Sequence, residues 1–334
     1  MSKKTRLFLT AVFGFYSLIA QATPTTLTAY AEDYFAGNWG AGAEIKAQFE
    51  QQYPQCQVNY QVFDSSNTML NRLRLEGKNS PADIVIGIDN FQLLSLQNNE
   101  LFEPNQVDLS QLQLPFHWKD TRFLPYDFAP FAFIYDKNKL TNPPKSLKEL
   151  VERQDLRIIY QDPRTSSIGR GFVVWMNTVF DNEHIEQAWH NLAQHTLTIG
   201  KGWSSTYGAF LKGEGDLVLS QSTSPIYHLL TEQNDRYAAT EFREGALYQI
   251  QTAVKISGKN NPCAEPYLQF LLRPQSQALI VEKGVMLSVT SAAVEPHYAA
   301  LKSQVMQQLS LNSTTLTNDK LKEWIMFWQQ RLSQ

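Results

Sequence analysis

Apolar positions near the start of the chain alternate or cluster at strand spacing, with helical stripes between them. Leu27 to Tyr30 reads as a first strand, followed by a polar and aromatic turn with Glu32, Asp33, Tyr34 and Trp39 and then a helix with Ile45 and Phe49 on one face. Val58, Tyr60 and Val62 alternate as in a second strand, and Asp64-Ser65-Ser66-Asn67 then caps a helix carrying Met69, Leu70 and Leu73 that stops at Gly77. Ile84 to Ile88 is a continuous apolar run of the kind buried on both faces of a parallel sheet. This β-α-β-α-β order predicts an open α/β sheet, with a ligand outside the carboxyl ends of its strands.

A second α/β set follows Phe131 to Tyr135. It comprises a helix from Ser146 to Val151, a strand from Arg157 to Tyr160, a helix opened at Ser166, a helix with Ile185, Ala188 and Trp189, a strand near Leu197 to Ile199, a helix from Trp203 to Leu211 and a strand from Leu217 to Ser220. Three of these strands end in polar or aromatic turns: Gln161, Lys201-Gly202-Trp203, and Gln221-Ser222-Thr223-Ser224-Pro225. Their carboxyl ends are expected to share one crevice. Tyr248 to Ile256 is a further strand, and Cys263 to Leu272, Gln275 to Val281 and Leu321 to Leu332 are helical, so the last third is expected to return to the first unit. The expected division is 23–131 plus 250–334 for lobe 1 and 132–249 for lobe 2, with two crossings forming a hinge.

The turn from Gln161 to Gly169 opens the helix carrying Phe172, Val173, Val174 and Trp175. Ser166 and Ser167 there either cap the helix or, with its free N–H groups, hold a ligand oxygen. Ser222, Thr223 and Ser224 are open in the same way, as turn chemistry or as ligand contacts.

The N-terminus has Lys3, Lys4 and Arg6, an apolar run from Leu7 to Ala20, and Ala20-Gln21-Ala22 before Thr23. It reads as a secretory signal peptide over residues 1–22, because a run this short falls below the ~20 residues of a membrane-spanning helix. The remaining 312 residues suggest about two domains and an exported, soluble protein. Without the leader, 26 Lys and Arg stand against 32 Asp and Glu, a net −6, which argues against nucleic acid or an acidic membrane as partner. Cys56 and Cys263 lie far apart; export permits a disulfide between them, but nothing in the pattern brings them together, so two free buried thiols are the plainer expectation.

Enzyme signatures are missing. The spacings of His184, His190 and His195 miss that of a zinc helix, and no G-x-S-x-G elbow, Walker loop or G-x-G-x-x-G occurs. Glu32 with Asp33 is an acid pair on a strand-end loop, but consecutive side chains point apart. A secreted hydrolase is therefore the weaker alternative, and no catalytic residue, metal ligand or cofactor is expected.

Asn71 to Ser80, Phe131 to Leu140, Ile159 to Ser166, and Thr223-Ser224-Pro225 with Tyr227-His228 closely resemble the periplasmic thiamine-binding proteins of ABC importers. The resemblance, running from about Leu27 to Val281, implies an α/β fold: a two-lobed type II periplasmic binding protein, each lobe an open mixed sheet flanked by helices. It also implies a monomer that carries thiamine, or its mono- or diphosphate, to a permease and its ATPase in the inner membrane. Asp33, Trp39, Ser166, Trp203 and Tyr227 match the family's ligand contacts, with Ser167 beside them. Glu32 stands where the family has a tyrosine, Ser65-Ser66 where it has Asp-Gly, Gln221 where it has tyrosine, and Val285 where it has tryptophan.

Thiamine is a flat cation, suited by aromatic faces and a carboxylate. Fewer pocket aromatics and one more carboxylate leave room for another cationic heteroaromatic or a polyamine as ligand. An iron binder of this architecture would need clustered tyrosine, histidine and acid ligands, and no adjacent tyrosine pair is present.

Overall fold

The computed structural model describes residues 23–97, 99–311 and 316–332, so the expected signal peptide over 1–22 lies outside the described residues. The described strands are β1 (Thr25–Glu32), β2 (Cys56–Phe63), β3 (Ile84–Asp89), β4 (Phe102–Glu103), β5 (Leu124–Asp136), β6 (Ile158–Gln161), β7 (Thr196–Gly200), β8 (Leu217–Gln221), β9 (Tyr237–Ala239), β10 (Tyr248–Ile256) and β11 (Leu287–Ser288). The main path runs β2-β1-β3-β10-β5-β8-β6-β7. At one end β1 is parallel to β2 and β3, and at the other β6 is parallel to β7 and β8. The βαβ connections expected from the alternating pattern produce this arrangement.

The long strand β5 joins the two halves. Leu124 to Pro130 pair antiparallel with β10, while Phe131 to Tyr135 pair with β8. The run expected to begin at Phe131 is thus the second half of a longer strand, whose first half contains the apolar stretch Leu124–Phe128 interrupted by Asp127. The architecture is two-lobed, with helices flanking a mixed sheet in each half.

Separate hydrophobic cores fill the halves. Leu27, Ala29, Ile45, Phe49, Ile84 and Ile86 pack with Tyr267, Phe270 and Ile280, which come from the returning chain. Phe133, Ile158, Phe172, Trp175, Trp189 and Leu219 form the second core. Helix Ser167–Val179 is apolar on most of its circumference, and it is wedged among these residues.

Two expectations are corrected. Cys56 and Cys263 form a disulfide, against the expected pair of free thiols. The reason is topological: β10 returns into the first-half sheet, and helix Ala264–Leu271 after it lies on helix Gly42–Gln52, with Phe49 edge-on to Tyr267. The second concerns the last helix, Asn318–Leu332, which was expected to close the first lobe. It packs in the second core through Leu321 and Trp328, and the Trp328 indole N–H donates to the Tyr160 hydroxyl at 3.1 Å.

Candidate functional site

The carboxyl ends of β1, β2 and β3 bring together Glu32, the Ser65-Ser66 turn and Asp89. Glu32 ends β1 half-buried, and its Oε1 accepts the Ser66 backbone N–H at 2.8 Å, in the first turn of helix Ser66–Glu76. That bond places a carboxylate at the positive end of the helix. Gly87 makes room for it, because a Cβ there would lie 2.9 Å from the Glu32 Cβ, and its φ of +105° suits glycine. Burial, augmented by Asp89 and Asp33 and opposed by the Ser66 N–H, pushes the Glu32 carboxyl up to about 7.

Ser65 and Ser66 divide their work. The Ser65 hydroxyl caps its own helix by accepting from the Thr68 N–H at 3.3 Å. Ser66 is buried and accepts from the Gln92 amide at 2.8 Å. Asp89 caps the short helix after β3, accepting from the N–H groups of Phe91 and Gln92 at 2.7 and 3.0 Å.

The opposite wall comes from β6, β7 and β8. Ser166 is the N-cap of helix Ser167–Val179, its hydroxyl accepting from the Gly169 N–H at 3.4 Å, so capping engages it. Ser167 projects across to the other lobe, where its hydroxyl donates to Asp89. Arg170, one turn later, donates to Asn67 at 2.9 Å. These two contacts hold the walls together on this side.

Trp203 starts the helix after β7, and its ring is fixed on two sides. Its indole N–H donates to the Ser220 hydroxyl at 2.7 Å, and Tyr207 stacks on it with ring centroids 4.7 Å apart. The side chain is still 42 % exposed, so a face remains open. Behind it Tyr207 meets His228 at 3.0 Å, and His228 meets Glu232 at 2.8 Å. Tyr227, also 42 % exposed, lies edge-on to His228.

The Gln221 segment is split in direction. Gln221 donates to Gln249 on β10 at 2.7 Å, whereas Ser224 turns back to share a 2.8 Å hydrogen bond with Ser220. Thr223 is buried, its hydroxyl without a partner. Ser222 lines a separate crevice with Trp175, Phe242 and Leu301. Gln161, at the end of β6, is committed to Thr206 and the Leu219 carbonyl.

On the first-lobe turn, Asp33 is exposed and folds over Gly37, where a Cβ would sit 2.0 Å from its Oδ1. Trp39 is 55 % exposed and meets Tyr34 edge-on at 6.1 Å. Val285, where the resemblance expects a tryptophan, is the left-handed residue ending helix Pro274–Gly284, with φ +53°. A β-branched residue pays for that conformation in strain. Among the described residues no hydrogen bond or ring contact joins Asp33 and Trp39 to Trp203 and Tyr227.

Sequence reasoning missed a buried polar row where β3, β10 and β5 lie side by side. Asp127 on β5 is fully buried, and its Oδ2 accepts the Tyr34 hydroxyl proton at 2.7 Å. Gln251 on β10 faces Asp127 on one side and Asp89 on the other. An acid inside an otherwise apolar strand was the available signal. Among the described residues no group of three or more histidine, cysteine or acidic side chains is arranged to hold a metal ion.

The arrangement thus offers an aromatic face on one side, hydroxyls beside it, and carboxyls on the other side, with Asp127 buried behind them. Among the described residues none of Glu32, Asp89 and Asp127 is in an ion pair with a basic side chain. A positive, planar solute would complement that set.

Comparison with known proteins identifies the chain's family and relatives. A family model described as bacterial extracellular solute-binding protein matches residues 37–285. The chain is 52% identical over 330 residues to the thiamine-binding periplasmic protein of Haemophilus influenzae, covering 99% of this chain and 98% of that one. It is 41% identical to the thiamine-binding periplasmic protein of Escherichia coli, over 92% of this chain and 93% of the other. A solved structure, a periplasmic thiamin binding protein, aligns with a TM-score of 0.81 at 39% identity, covering 93% of this chain and 97% of its own.

Proposed function

Since the chain belongs to the bacterial extracellular solute-binding proteins, we propose that it captures thiamine, free or as its mono- or diphosphate, in the cleft between its lobes. The observation that carries this reading is the pairing of an open tryptophan face with carboxyls that lack a basic partner among the described residues. The thiazolium supplies the missing positive charge, and the flat rings supply a surface for Trp203. The near end-to-end match to a relative named for thiamine supports the same choice.

Hydroxyls on the second wall favour thiamine over a polyamine, which would want carboxylates at both ends. Ser167 and the helix start beside it suit the alcohol or phosphate tail of the ligand. Trp39, Asp33 and Tyr227 close around the rings when the lobes move together. Lobe 1 is assigned residues 23–131 and 250–311, and lobe 2 residues 132–249 together with the last helix. The leader over 1–22 directs export, and the loaded monomer docks on a permease driven by an ATPase.

Native mass spectrometry of the protein purified from the periplasm tests this reading. The expected result is an adduct with the mass of thiamine or one of its phosphates, lost on denaturation with the ligand unchanged. An unrelated adduct that added thiamine fails to displace would contradict it, and a chemically altered ligand would point to a hydrolase.

A further inference from the structure

The buried row of Asp89, Gln251 and Asp127 carries more than shape. Asp127 is fully buried, with one oxygen bonded to Tyr34 and the other, Oδ1, without a hydrogen-bond partner. Gln251, 7 % exposed, stands directly opposite on β10, and its Oε1 is likewise unpartnered. Opposed residues on neighbouring strands project from the same face, so Asp89, Gln251 and Asp127 form one row across β3, β10 and β5. Two buried acceptors with no donor cost free energy unless a proton or a cation completes them.

The groups around this row are acidic or neutral. Glu32 comes from β1, Tyr34 from the turn after it, Asp89 from β3 and Tyr126 from β5 itself. Ser288 on β11 is bonded to Gln277, whose amide also serves the Tyr126 carbonyl. Cations on the flanking elements are committed elsewhere: Lys283 pairs with Glu44, Lys255 with Glu103 and Glu265, and Arg170 donates to Asn67. Burial, reinforced by Glu32 and opposed by the Tyr34 hydrogen bond, pushes the Asp127 carboxyl up to about 7.

We propose that Asp127, with Gln251 beside it, is the residue by which the cleft selects a cationic over a neutral ligand, holding a proton while the cleft is empty and releasing it to solvent when the cation enters. The inference rests on the thiamine reading and extends it. The thiazolium is permanently charged and brings no proton to lose there, so the proton that Asp127 gives up on binding leaves to solvent. A neutral ligand of the same outline gains nothing from that exchange.

The test is calorimetric titration of the mature protein with thiamine in two buffers of different ionisation enthalpy, at about pH 6.5 and about pH 8.5. The expected result is release approaching one proton per thiamine at the lower pH, falling toward none at the higher. The neutral aminopyrimidine alcohol half of thiamine should release none. Asp127→Asn should abolish most of the release and weaken thiamine at least about tenfold, a loss of about 1.4 kcal/mol, without weakening the neutral half.

Where that variant does not fold, Tyr34→Phe replaces it. Losing the donor to Asp127 should move the midpoint of proton release to higher pH. Thiamine binding with no proton released at the lower pH, or with release unchanged in both variants, overturns the inference and leaves the thiamine reading intact. No thiamine binding at all overturns both.

Discussion

Trp203 is held by neighbours that leave one face free, which is the state a stacking residue needs before its ligand arrives. Tyr207 covers the other face and Ser220 takes the indole proton. Replacing Trp203 with alanine removes a contact worth about 1–2 kcal/mol, so the thiamine dissociation constant should rise roughly 5- to 30-fold. Titration followed by fluorescence of the remaining tryptophans measures this, and an unchanged constant would remove Trp203 from the site. Local pattern made Trp203, Ser166 and Ser65 visible in the sequence, because each sits at a strand end or a helix start. What each hydroxyl does was not visible, since capping and ligand contact use the same residue types at the same place. Ser65 and Ser166 cap, whereas Ser167 reaches across to Asp89. Asp127 escaped notice because an acid in an apolar strand announces a special role without naming its partners, and Tyr34 lies 93 residues away.

At the scale of elements, the parallel strands and the helices between them follow from hydrophobic period and caps. Short pairings such as β4, β9 and β11 do not, because a two- or three-residue strand has no period and exists only through its neighbour. The disulfide was illegible for a related reason. It depends on where β10 inserts, and that is a property of the whole sheet. Its ends are 207 residues apart in sequence, so removing it frees a long loop in the unfolded chain. Changing both cysteines to alanine should cost about 2–4 kcal/mol, read as a lower denaturant midpoint at unchanged slope. Thiamine affinity should stay within about twofold, because the bridge ties helix Ala264–Leu271 to β2, away from the crevice walls. The last helix gives the same lesson, since its apolar stripe could have been buried on either lobe. Trp328 finds Tyr160, and that contact decides the matter.

For the whole molecule, the half-buried and buried acids near where the two halves join, Glu32 and Asp127, suit a positive guest better than none. Glu32 and Asp127 are both pushed up to about 7, from ordinary values of 4.5 and 3.8. The folded empty protein therefore binds more protons than the unfolded chain between about pH 4 and pH 7, and its stability falls as pH rises through that window. Asp83 is likewise raised by burial and acts in the same sense, whereas Asp162 and Asp216 are held low and lose stability only in acid. His195, kept below its ordinary 6.5 by burial, acts in the opposite sense below about pH 6.5. Melting temperatures of the empty protein should thus decline from about pH 5 to about pH 7.5, and Glu32→Gln should flatten that decline. A melting temperature that holds level or rises over this range in the parent protein would contradict the account. Thiamine should stabilise most at the upper end, where the acids are charged and unpaired without it. Two lobes on crossing strands imply closure on the ligand as the large-scale motion. The most direct measurement of the central claim is isothermal titration of the ligand-free mature protein with thiamine at neutral pH. The account predicts saturable binding of one thiamine per chain, weakened by Trp203→Ala. Heat that never saturates at millimolar thiamine, in a protein that remains folded, would contradict it.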